Sequence, residues 1–187
     1  MTTAPAITWP TKFLPGTTDN FVSNETYAAS LTASQIWSFL ADISKWETYY
    51  SNCSQITPPS TGPKLNIPGS RFSFSTFGFP PLACVVEESV APGGVGKPGR
   101  LAWRAWMEDG DGKVKEGEDA IDVYHAWIVE DVEGGRVRIL TQESQIGVPA
   151  RQLAEEKPNK MLNGHQEWLD GLVRVAGSSA PDVVRKE

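Results

Sequence analysis

Cysteine, histidine and long apolar runs are all scarce in this chain. Two cysteines, Cys53 and Cys84, stand in 187 residues without a close-spaced motif. Thiols so placed are expected to be reduced packing residues rather than a disulfide. Two histidines and two cysteines scattered without ligand spacing give no zinc pattern, so no metal site is expected. Basic charge is outnumbered, with 17 Lys and Arg against 23 Asp and Glu, a net charge of −6 and a pI near 5.0. Phosphate backbones need clustered cations, so nucleic acid is excluded as a partner class. No stretch of about 18 apolar residues is present, which excludes a membrane-spanning helix. The first ten residues, MTTAPAITWP, lack a basic segment followed by an apolar core. No secretory leader is expected there, and the reading is a soluble, cytoplasmic protein.

What is present is a globular composition, 40% hydrophobic and 21% charged, in a chain long enough for one domain with a substantial core. Residues 1–17 carry three prolines and little periodicity, and are expected to form an N-terminal arm over the surface or a disordered end. The domain proper is expected over 18–177, with a tail at 178–187. Phe21–Ser30 reads as a first strand. The period then changes in LTASQIWSFLADISKWETYY, where Thr32 or Ser34 can cap one short helix and Asp42 or Ser44 a second. Residues 57–70 form a loop punctuated by Pro and Gly. Strands are expected at Arg71–Phe77, Leu82–Ala91, Leu101–Glu108, Ala120–Val132 and Arg136–Ile146. The glycines of PGGVGKPG lead into a strand instead of opening a helix, which argues against a phosphate loop. Asp109, Asp111 and Gly112 have the start of a calcium-loop pattern but neither its later ligands nor its flanking helices. An apolar stripe from Ala150 to Ala176 reads as a helix. Pro158 should break it near Lys157, leaving a main helix from about Asn159 to Ala176.

Side chains alternate along a strand, so each strand can be divided into two faces. Val137, Ile139, Thr141, Glu143 and Gln145 share one face of the last strand; Arg136, Arg138, Gln142 and Ser144 share the other, which reads as solvated. Ile121, Val123, His125, Trp127 and Val129 share a face of the strand before it. In LAWRAWME the inward set is taken as Leu101, Trp103, Ala105 and Met107. A slip of one residue would bring in Arg104, which is kept as an alternative ligand contact. Assembled, these faces predict an aromatic cavity of Phe72, Phe74, Trp103, Trp127 and Trp168, with Met161 beside them and Tyr49 and Tyr50 over its mouth. His125, Glu143 and His165 are its polar groups. An imidazole beside a partly buried carboxylate, raised toward neutral pKa, suits proton transfer without a cofactor. Against this, a histidine on an apolar face is commonly a packed core residue, and Glu143 could pair with Arg104 or Lys160.

The order of strand, two short helices, six strands and a long helix is that of an α+β helix-grip fold, a curved antiparallel sheet of about seven strands around a C-terminal helix. IWSFLADISKWETYY, and HAWIVEDVEGGRVRILTQESQIG with the helix after it, resemble the START/Bet v 1-like superfamily, the polyketide cyclase/dehydrase and lipid transport group. The resemblance covers roughly residues 20–177 and is topological. It implies hydrophobic-ligand carriers, aromatic polyketide cyclases, condensing enzymes or chaperone activators, and it supplies no shared catalytic set. The reading favoured is a cofactor-independent cyclase, dehydratase or lyase acting on a polyketide-like or aromatic metabolite, with His125 and Glu143 as acid and base and His165 orienting a carbonyl. A non-catalytic carrier of a hydrophobic molecule is the alternative, and a protein-interaction module is least favoured. A monomer or homodimer is expected.

Overall fold

The computed structural model describes residues 5–179. Its seven antiparallel strands are β1 (Asn20–Ala29), β2 (Cys53–Thr57), β3 (Arg71–Thr76), β4 (Leu82–Val90), β5 (Gly99–Trp106), β6 (Asp122–Val132) and β7 (Arg136–Ile146). They form one sheet in the order β1-β7-β6-β5-β4-β3-β2. Helix α1 (Ala33–Leu40) and a short 3-10 helix (Ile43–Thr48) follow β1, and α2 (Val148–Glu155) and α3 (Lys160–Ser178) close the chain. The α+β helix-grip architecture expected from the sequence is therefore the one adopted. Among the described residues no helix is long and apolar enough to cross a membrane.

Local chemistry accounts for the elements. Thr32 and Gln35 form a reciprocal capping box at the start of α1. Asp42 caps the 3-10 helix through Ser44 N–H. The chain breaks between Glu155 and Lys160, as Pro158 requires, and Asn159 caps α3 by accepting from the N–H groups of Met161 and Leu162. Helix α3 then buries Met161, Gly164, His165, Trp168, Leu169, Gly171, Leu172 and Ala176 against the concave side of the sheet, the spacing of one helical face. Leu162, expected on that stripe, is exposed. Strand β2 is the one of the six strands after the short helices that the sequence did not locate, because CSQIT carries too little apolar alternation to separate it from the loop after it.

The inward faces of β5, β6 and β7 are as read from alternation, but the outer face is not simply solvated. Residues 7–13 lie across it, with Trp9 and Phe13 packed on Tyr124 at ring separations of 5.6 and 5.8 Å. This cover explains why β6 is buried on both faces over its first eight residues. Arg138, expected in solvent, is buried by ion pairs to Glu25 and Glu130 at 2.7 and 2.6 Å. Ser144 is likewise buried, against Thr18.

Candidate functional site

Three polar side chains meet in the interior. Antiparallel register sets His125 of β6 opposite Glu143 of β7, and α3 brings His165 down on both. His125 Nδ1 lies 2.8 Å from Glu143 Oε2, and His165 Nε2 lies 3.2 Å from the same oxygen. The two imidazoles stack, with centroids 4.6 Å apart and planes within 11°. Gln145 donates to the other carboxylate oxygen at 2.5 Å, and Thr141 Oγ1 lies 2.7 Å from His125 Nε2. All five side chains are buried. One carboxylate thus has three N–H groups directed at it, which satisfies a buried anion. The expected partners Arg104 and Lys160 do not take part.

The electrostatics differ from the expectation of a carboxylate raised toward neutrality. Burial alone would raise Glu143, but the facing His125 and His165 hold it below the usual carboxylate range. Burial pushes His125 down from 6.5 to about 4, against the pull of Glu143. Both directions describe one arrangement, an ionised carboxylate beside a neutral His125. A stability effect follows. The folded value of His125 lies below the unfolded 6.5, so the unfolded chain binds the extra proton between 6.5 and about 4. Its contribution is complete above the upper value and is lost as pH falls toward the lower. Urea midpoints at about pH 7.5 and about pH 5 should show this loss, and His125→Gln should reduce it. An unchanged wild-type midpoint would contradict a buried neutral imidazole.

His125, Glu143 and His165 also offer donor atoms within 4.8 Å of one another, a set seen in zinc and iron(II) centres. As the side chains stand, both rings direct a nitrogen at the same carboxylate oxygen, Glu143 Oε2.

The predicted aromatic cavity is filled by its own rings. Trp46, not counted among the candidates, comes up from the 3-10 helix to meet Trp168 at 5.0 Å, Phe74 at 5.3 Å and Trp103 at 5.4 Å. Its Nε1–H donates to Leu40 O at 2.9 Å. Phe72, Trp127 and Trp168 point inward as expected and belong to this packed cluster. What remains open is a void of about 20 Å³, lined by Phe74, Trp103, His125, Glu143, Gln145 and Met161 together with the half-buried Phe77 and Phe79. That suffices for a water molecule and little more. Tyr49 and Tyr50 do not cover its mouth. Both are buried and line a separate surface groove with Glu47, Glu167, Asp170 and Arg174; Tyr50 stacks on Trp168 at 4.4 Å. Arg104 is not a ligand contact either, since it points to the outer face and binds Asp122 through two bonds of 2.8 Å. Thr141 and Gln145 flank Glu143 at two residues on either side, so their shared face was readable although their role was not. Phe77, expected as the last residue of a strand, lies just past the end of β3 at Thr76, and Phe79 follows where no period marks it.

Neither a protein-family model nor a curated protein matches the chain. Solved structures do. The hypothetical protein jhp0584 from Helicobacter pylori is 47% identical, with a TM-score of 0.85 over 94% of this chain and 99% of that one. The Zhui aromatase/cyclase from Streptomyces sp. R1128 is 10% identical, with a TM-score of 0.58 over 88% of this chain and 99% of that one. Human STARD10 is 9% identical, with a TM-score of 0.58 over 85% of this chain and 64% of that one. The last two likenesses are of fold. The chain has the helix-grip fold of the START/Bet v 1-like superfamily and belongs to one family with the Helicobacter pylori protein jhp0584.

Proposed function

We propose that this protein binds a small hydrophobic or aromatic molecule against the His125–Glu143–His165 centre and catalyses proton transfer beside a carbonyl, the step shared by cyclases, dehydratases and related lyases. The observation that supports it most is the placement of the carboxylate. A buried Glu with three N–H donors, opening on a void whose other walls are mostly apolar, is costly to maintain as packing alone. Similarity of fold to an aromatase/cyclase agrees with this reading.

The roles follow from the geometry. Glu143 and His125 both line the void. A substrate carbonyl oxygen placed there competes with Glu143 for the Nδ1–H of His125. As that N–H turns to the carbonyl, the carboxylate loses a donor and becomes more basic. Glu143 then takes the proton from the adjacent carbon, and the electron pair moves onto the carbonyl oxygen to give an enolate hydrogen-bonded by His125. His165 and Gln145 hold the carboxylate in place. Admission of anything larger than a water molecule requires this void of about 20 Å³ to widen. The ring of Phe77 rests on Gly164 of α3, where an added Cβ would lie 2.3 Å from Phe77 Cζ, and the Phe77 backbone is held at φ +53°, a strained conformation for a non-glycine residue.

Acetophenone, a flat aromatic ketone with an exchangeable methyl group, tests this in D2O by proton NMR. Wild-type protein should speed deuterium incorporation, and Glu143→Gln should lower the rate by at least about 100-fold. Equal rates in the two proteins, or none above solvent, would defeat the catalytic reading. Binding of acetophenone with no exchange would favour the carrier alternative, for which the apolar walls speak.

A further inference from the structure

We infer that Thr141 is a positioning residue: its hydroxyl donates to His125 Nε2 and locks that imidazole with its proton on Nδ1, directed at Glu143. The inference follows from donor and acceptor counting. Glu143 Oε2, 2.8 Å from His125 Nδ1, can only accept while the carboxylate is ionised. Nδ1 therefore carries hydrogen. A neutral imidazole has one N–H, so Nε2 is a lone pair and must accept. The atom that meets it is Thr141 Oγ1 at 2.7 Å, and a hydroxyl in that position has to be the donor.

Carboxylate, imidazole and hydroxyl in line would also describe an activated nucleophile. Thr141 is unsuited to that role, because it is fully buried and the void does not reach it. It acts only through His125. The groups facing that ring are Glu143 and Thr141 from β7, His165 and Trp168 from α3, Trp103 from β5 and Trp127 from its own strand. None of the others offers Nε2 a hydrogen bond, so the tautomer depends on one side chain. Under the proposed reaction this lock makes Nδ1–H the proton presented to a carbonyl. That consequence rests on the proposed function, whereas the tautomer itself does not.

Only two histidines are present, so long-range proton–nitrogen NMR of 15N-histidine-labelled, ligand-free protein gives two ring systems to assign. In the wild type His125 should show a pyrrole-type Nδ1 and a pyridine-type Nε2. Thr141→Val, which keeps the shape and removes the donor, should shift His125 to the other tautomer or a mixture, and Thr141→Ser should restore the wild-type pattern. A pyridine-type Nδ1 in the wild type overturns the inference. So does an unchanged tautomer in Thr141→Val. Should the valine variant not fold, the wild-type and serine spectra decide. Acetophenone exchange that fails beside an intact tautomer pattern would count against the reaction and leave the lock standing.

Discussion

Trp46→Ala is expected to lower folding stability by about 3–5 kcal/mol, the range for removing a large buried aromatic side chain. The indole lies wholly buried among Phe72, Phe74, Trp103 and Trp168, and no neighbour can relax into so large a space. Leu40 O also loses its indole donor. At roughly 2–4 °C per kcal/mol for a chain of this size, thermal unfolding should fall by about 10 °C. The variant should also contain the hollow that the inward aromatic residues suggested. Added indole ought to refill that space and raise the midpoint in a concentration-dependent way. A loss below about 1 kcal/mol, or no response to indole, would mean that Trp46 is not the filler of this interior.

Gly171→Ala is expected to be nearly as damaging, through crowding rather than emptiness. A Cβ at Gly171 would stand 2.0 Å from the carbonyl oxygen of Tyr49. Both partners are backbone, so relief requires α3 to lift from the chain following the 3-10 helix. Overpacking of this kind costs about 1–3 kcal/mol, and more where nothing flexible can yield. Gly164→Ala is the contrasting case, because the obstructing atom belongs to the ring of Phe77. Rotating or expelling that ring relieves the clash, so the stability loss should be smaller while the wall of the void opens. Chemical denaturation of both variants checks the order. A Gly164→Ala protein less stable than Gly171→Ala would contradict the distinction between backbone and side-chain obstruction.

The alternation of β6 and β7 determined from sequence alone that His125, Thr141, Glu143 and Gln145 face inward, since a two-residue period leaves no other choice once one face is apolar. The stripe of α3 did the same for His165 and Trp168. Helix boundaries near Pro158 were legible for equally local reasons, and the first cap was narrowed to Thr32 or Ser34. Tertiary structure decided the rest. That Glu143 would sit opposite His125, with His165 on the same oxygen, depends on strand register and on the docking of α3, distances that no local pattern encodes. The depressed carboxylate depends on those neighbours in turn. Whether the interior was open or full was settled by Trp46, which in sequence is one aromatic residue of a short helix. Volume is a property of how all the elements meet, whereas periodicity reports only the direction each side chain takes from its own backbone.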